Sequence, residues 1–195
     1  STFDSSPQTG SLGEAIRLMR REWPDSLVPV VAATPEFGRY TIFGDHYARA
    51  GHQVFRLDRH PVMSVHPVTP MREASLARIL SEQGFTPTRS VDLRTLDEHA
   101  ANAAALAAHI AADEGIVFDG YTQHQMKTIA ASLWQVSRTR TVCALAAQGL
   151  AHALGEWMRD SGLIDTASPR QQLLPTDRLL VLSGSCSALS GAQID

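Results

Sequence analysis

Between Arg56 and Met71 the chain gathers two guanidinium groups, two imidazoles and two hydroxyls along a path broken by Pro61, Pro67 and Pro70. Arg56 and Arg59 carry planar forks that match a carboxylate or a phosphate, while His60, Ser64, His66 and Thr69 can hydrogen-bond hydroxyl groups. The prolines fix φ and push the residues before them toward extended backbone, so the stretch reads as semi-rigid. Rigid presentation of such groups suits ligand recognition; the same composition also suits a surface loop crossing between two elements. A second polar segment opens the chain, where Ser1, Thr2, Asp4 and Ser5 offer hydroxyls and a carboxylate. It leads through Gly10 into a capping-box pattern, Ser11 and Glu14, at the head of a helix with Leu12, Ile16 and Met19 on one face. The amides at that helix start suit a small anion, or are simply capped by the serine.

These groups need elements to hold them. Short apolar runs alternate with helical patterns, which predicts an α/β fold of three layers, α/β/α, with a mainly parallel sheet. The strands fall at 28–33, 90–93, 116–119, 141–145 and 178–183, and the helices at 12–23, 72–83, 98–112, 123–137 and 147–161. The alanine-rich stretch from Ala100 to Ala112 is a helix whose small side chains allow close packing on a sheet. Ligands of open α/β sheets sit beyond the carboxyl ends of the strands. That places interest on residues 34–39, on Asp119-Gly120, on 146–149 and on 183–187. Asp119 by itself suits an Asx turn or a helix cap better than a catalytic base. Ser183, Gly184, Ser185 and Ser187 supply consecutive amides and hydroxyls, a cradle for phosphate or ribose, although the spacing is not that of a Walker A motif.

Composition narrows the classes further. The 195 residues are 44% hydrophobic, ample for a buried core, and the formal net charge is −3. Lys127 is the sole lysine among 17 basic residues, and no basic run or aromatic-interleaved patch suggests nucleic acid. No stretch reaches the ~18 apolar residues of a membrane span. Cys143 and Cys186 lack C-x-x-C spacing and read as reduced thiols. The eight histidines show no H-x-x-x-H pair, and no Gly-x-Ser-x-Gly elbow occurs, so neither a metal site nor a serine nucleophile is expected.

Four blocks in this order, residues 1–7, 30–35 with 38–44, 56–71 and 181–187, resemble the four-carbon acid sugar kinase family over essentially the whole chain. The segments 66–71 and 183–187 carry most of that specificity. The resemblance implies ATP-dependent phosphorylation of the terminal hydroxyl of a threonate, an erythronate or a 3-oxo-tetronate, with Mg²⁺ at the phosphates. Within it the residues' own chemistry suggests Arg39, Arg56 or Arg59 for the carboxylate, Ser1, Thr2, Asp4 and Ser5 for the hydroxyls, His60 and His66 as hydrogen-bonding groups of the substrate loop, and Ser183, Gly184, Ser185 and Ser187 for the nucleotide. It names no catalytic base. Ser168-Pro, Leu174-Pro and scattered polar residues interrupt periodicity over 164–177, which reads as a linker, and the resemblance makes 1–163 a sugar-acid-binding domain and 178–195 the start of a second, nucleotide-binding α/β domain. It further implies a cytoplasmic enzyme, open to homodimer formation, of which this chain is an internal fragment inactive by itself. One departure bears on substrate choice: Ala147 and Gln148 stand where the family typically has two serines. The alternatives are a kinase for a branched acid such as 3-oxo-isoapionate, or a non-catalytic sugar-acid binder. A dinucleotide-dependent oxidoreductase is disfavoured, since no Gly-x-Gly-x-x-Gly follows a strand.

Overall fold

The computed structural model describes residues 11–165 and Arg178. Residue contacts divide the chain into two units, 1–164 and 165–195. In the first unit the order is α1 (Leu12–Glu22), β1 (Val28–Val31), β2 (Arg39–Ile42), β3 (Asp45–Ala50), β4 (Gln53–Arg56), α2 (Leu76–Glu82), β5 (Arg89–Val91), α3 (Leu93–Glu98), α4 (Ala103–Ile110), β6 (Gly115–Phe118), α5 (Gln123–Ser137), β7 (Leu145–Ala146) and α6 (Gln148–Asp160). Four of the five expected strands form one parallel sheet in the order β5-β6-β1-β7. The fifth, 178–183, lies almost wholly outside the described residues, as does the start of the second domain.

Strand alternation builds the three layers. Val28, Val30 and Val117 point into a core shared with Leu12 and Ile16 of α1 and Leu76, Ile79 and Leu80 of α2. Their neighbours Val31, Ile116 and Phe118 point the other way, into a core shared with Leu106 and Ile110 of α4, Ile129 and Leu133 of α5, and Leu150 and Ala153 of α6. Because the sheet is covered on both faces, β1 and β6 are buried at every position. Small residues set the closest approaches: a Cβ on Gly115 would come within 2.4 Å of the Phe85 ring.

Several boundaries move from the sequence expectation. The helix expected over 72–83 begins only at Leu76, since Ser75 bridges Asp45 and the Glu73 carboxylate accepts from the amides of Ala74 and Ser75. The helix expected over 98–112 shortens to α4, Ala103–Ile110, because Asn102 caps a fresh start by accepting from Ala105 N, and a separate short helix, α3, ends at Glu98. Asp92 likewise caps α3 at the point where a strand was expected to continue.

The largest difference is an added sheet. Residues 39–56 fold as the antiparallel meander β2-β3-β4, with Ile42 opposite Asp45 and Ala50 opposite Gln53. Each hairpin turns through two residues. At the first, Phe43 and Gly44 both sit at positive φ, 49° and 81°, the pattern whose twist matches the strands it joins.

Candidate functional site

Asp119 ends β6 and is fully buried. One carboxylate oxygen accepts from Phe43 N (2.7 Å) and Leu93 N (3.2 Å), and the other from Gly44 N (2.8 Å). The carboxylate therefore pins the β2–β3 turn and the start of α3 to the end of the parallel sheet. Thr41 and Gly120 add a reciprocal backbone pair at 3.0 and 2.9 Å. A Cβ on Gly120 would meet Ala33 at 2.7 Å, so glycine permits that approach. Burial pushes the Asp119 carboxyl above its ordinary range, against the three amides and with the Asp92 charge adding to the rise. With every oxygen engaged by backbone, Asp119 is a structural clamp.

The meander carries a second buried polar group. His46 is 2% exposed, donates its amide to Ala74 O and pairs its Nδ1 with Thr41 Oγ1 at 3.1 Å. Burial, and then the nearby Arg39 charge, push it down to about 3, so it stays neutral.

The loop after β4 splits its candidate residues into different roles. Arg56 uses its fork on this chain's own carboxylates, with Nε and NH2 each 2.7 Å from Asp58 and NH1 3.1 Å from Asp45. That arrangement raises the guanidinium and, led by the same hydrogen bonds, lowers Asp58. The expected substrate fork at Arg56 is thereby committed within the fold. His60 is buried and its Nδ1 lies 3.2 Å from the amides of Val62 and Met63. His66 does the same for Val68 and Thr69, its Nδ1 standing 3.0 Å from both the Thr69 amide and hydroxyl. Both imidazoles hold the loop's shape, while Arg59 is exposed on a 3-10 turn, Leu57–Arg59. Arg39 opens β2 and exchanges backbone hydrogen bonds with Thr34 (2.9 and 3.1 Å). Ser1, Thr2, Asp4, Ser5, Ser183, Gly184, Ser185 and Ser187 lie outside the described residues.

The helix starts also differ. The anion reading at α1 is closed, since Ser11 Oγ takes Glu14 N and the Gln83 side chain takes Leu12 N and Gly13 N. A full capping box, Thr122 with Gln125, closes α5. At α6 the N-cap is Ala147, which has no side-chain cap. Here a cavity of about 410 Å³ opens between the 3-10 turn after β1 (Pro35–Phe37) and the first turns of α6, lined by Thr34, Glu36, Gln148, Gly149 and His152 among others. It lies at the carboxyl ends of β1 and β7 and has the size of a small-molecule pocket. At its rim His152 Nδ1 is 3.1 Å from Glu36 Oε2, and Glu36, His152 and Glu156 each bring one ligand atom within 4.8 Å of the others. The sequence reading passed over this trio, because only the fold brings residue 36 beside 152; its one signal was the i,i+4 spacing of His152 and Glu156.

Comparison with known proteins places the chain. The family model of the sugar-binding N-terminal domain matches residues 1–154. A 3-oxo-isoapionate kinase of Paraburkholderia graminis is 35% identical over 194 residues, covering 100% of this chain and 41% of that protein. A 3-oxo-tetronate kinase of Brucella melitensis is 26% identical over 197 residues, covering 100% and 43%. The fold matches a crystal structure of a Haemophilus influenzae protein of the DUF1537 family, with TM-score 0.66, 24% identity and coverage of 98% and 43%. The chain thus spans about two-fifths of the length of these kinases. With the match extending over most of its residues, the chain belongs to the family of sugar-binding N-terminal domains, and the relatives it resembles over its full length are acid sugar kinases.

Proposed function

We propose that this chain is the acid-sugar-binding part of an ATP-dependent kinase that phosphorylates the terminal hydroxyl of a four-carbon sugar acid such as threonate, erythronate or 3-oxo-tetronate. The observation that carries this reading is the resemblance to acid sugar kinases over the full length of the chain, and a cavity of about 410 Å³ at the carboxyl ends of β1 and β7, mostly apolar with Thr34, Glu36, Gln148 and His152 on its walls, has the size for a small ligand. In this reading the domain's task is positioning, because phosphoryl transfer depends chiefly on alignment and charge stabilisation. The Asp119 clamp and the two loop histidines keep the surrounding turns rigid, Arg39 and Arg59 add positive charge for the acid, and Ser1, Thr2, Asp4 and Ser5 orient hydroxyls. Ser183, Gly184, Ser185 and Ser187 meet the nucleotide, and residues 178–195 begin its domain after a linker at 164–177.

ATP supplies the phosphoryl group, and Mg²⁺ would travel with its phosphates. The trio of Glu36, His152 and Glu156 is a poor fit for Mg²⁺, which prefers an all-oxygen shell, so no step is assigned to it. A cytoplasmic setting and a homodimer belong to the same reading. Among the described residues no helix is long and apolar enough to cross a membrane.

A second reading, a kinase for 3-oxo-isoapionate, is favoured by the 35% identity to the Paraburkholderia protein and by Ala147 and Gln148 in place of two serines. A coupled ADP-release assay of the whole protein against threonate, erythronate, 3-oxo-tetronate and 3-oxo-isoapionate tests both. Turnover of a four-carbon acid supports the first reading, turnover of 3-oxo-isoapionate alone moves the assignment to the second, and no ADP release with any acid refutes kinase function.

A further inference from the structure

His152 and Glu156 sit one turn apart on α6, and an i,i+4 pair places both side chains on the same face of a helix. Glu36 reaches them from the 3-10 turn Pro35–Phe37, and His152 Nδ1 stands 3.1 Å from its Oε2. One ligand atom from each of the three lies within 4.8 Å of the others. Two of these groups are held from behind. Gln123, the first residue of α5, donates its side-chain amide to Glu156 Oε2 at 2.9 Å, which orients that carboxylate and leaves its second oxygen. The turn that carries Glu36 is closed by Phe37 N on Thr34 O (3.0 Å) and by Gly38 N on Pro35 O (2.9 Å), with Gly38 at φ 67°.

Folding alone gains little from this convergence. An exposed carboxylate–imidazole pair contributes weakly in water, and a second carboxylate beside it adds like-charge repulsion. Among the described residues no Lys or Arg forms an ion pair with either glutamate, and Lys127 of α5 is paired with Asp160 at 2.7 Å. A dication removes the repulsion and takes all three groups as ligands. A tetrahedral ion with bonds of about 2.0 to 2.2 Å sets its ligands roughly 3.3 to 3.6 Å apart. The His152–Glu36 pair at 3.1 Å is already near that spacing, and the third group closes by a side-chain movement of about 1 Å. One nitrogen and two carboxylates suit first-row transition ions, whereas Mg²⁺ and Ca²⁺ favour shells of oxygen alone. We propose that Glu36, His152 and Glu156 form a divalent metal site of the Zn²⁺ type that joins the turn after β1 to the face of α6. Three protein ligands leave a fourth position for water. The site requires nothing of the acid sugar, so it stands or falls apart from the kinase reading.

The test is a calorimetric titration of zinc chloride into the 195-residue chain in a non-chelating buffer, which should show a saturable site. His152→Ala should abolish that site. Glu36→Gln and Glu156→Gln keep the size and lose the charge, so each should weaken it about tenfold or more. Circular dichroism should show the parent fold in each variant; should His152→Ala misfold, the two glutamine variants decide. Excess Mg²⁺ should leave the Zn²⁺ isotherm unchanged, and Co²⁺ in place of Zn²⁺ should give a visible absorption that the glutamine variants diminish. Zn²⁺ binding indifferent to all three variants lies elsewhere and overturns the site, as does a parent chain that binds no Zn²⁺ saturably. Loss of binding in His152→Ala with no effect of Glu36→Gln overturns the link between turn and helix. Displacement of Zn²⁺ by equimolar Mg²⁺ overturns the choice of a transition ion.

Discussion

Replacing Asp119 with Asn should separate a clamp from a catalytic group. Asn keeps the volume but offers a single acceptor oxygen. With that oxygen placed to serve Phe43 and Leu93, the Gly44 amide, now 2.8 Å from a carboxylate oxygen in a buried position, would face an NH₂. A buried donor left unsatisfied costs about 1 to 3 kcal/mol, and the two remaining bonds each lose about 1 kcal/mol on changing from charge-assisted to neutral. Release from the cost of burying a charge offsets part of this, so a net loss of about 2 to 4 kcal/mol is expected. For a chain of this size that corresponds to a fall in Tm of about 5 to 15 °C. Thermal unfolding by circular dichroism at pH 7 gives the shift, and hydrogen exchange should show lost protection at Phe43, Gly44 and Leu93 before the rest of the sheet. A Tm within about 2 °C of the parent with those amides still protected would refute the clamp.

His46 gives a pH signature: its folded value of about 3 lies below the ordinary 6.5, so the folded chain binds fewer protons than the unfolded one between those limits. Stability should be full above pH 6.5 and fall as pH drops toward 3, by at most ~1.4 kcal/mol per unit from this group, and His46→Gln should flatten the slope of urea midpoints across that window. Phe43 holds φ at 49° with its side chain 68% exposed, so Phe43→Asn should raise stability by about 0.5 to 1 kcal/mol in a urea melt; a lower midpoint would show that the ring contributes contacts. In the whole protein Arg59→Lys keeps the charge but loses the planar fork, so it should lower kcat/KM for the sugar acid about ten- to a hundredfold and leave ATP use unchanged; an unchanged kcat/KM would take the carboxylate away from the 56–71 loop. Gly115→Ala should destabilise markedly by forcing the Phe85 ring from its 2.4 Å approach, and an unchanged melting curve would show that the ring has room to move.

Local pattern was enough for the parallel sheet and its helices, because Val28–Val31 and Gly115–Phe118 are apolar at every position and α1, α5 and α6 have helical periodicity within a residue or so of their observed ends. The family resemblance, too, rested on short blocks that need no coordinates. The meander over residues 39–56 was missed although Phe43-Gly44 and Gly51-His52 mark its two turns: its strands are short and half-polar, and their pairing is stabilised from outside by Asp119, 75 residues from Gly44 along the chain. The same holds for the candidate site. Arg56 reads as a ligand fork until the backbone sets Asp58 and Asp45 against it, and Glu36 and His152, far apart in sequence, meet only once α6 packs beside the turn after β1. Hydrophobic periodicity is carried by neighbours in sequence and survives as a string of letters. Whether a polar group is spent or left available depends on which distant backbone arrives beside it, and that was decided by packing alone.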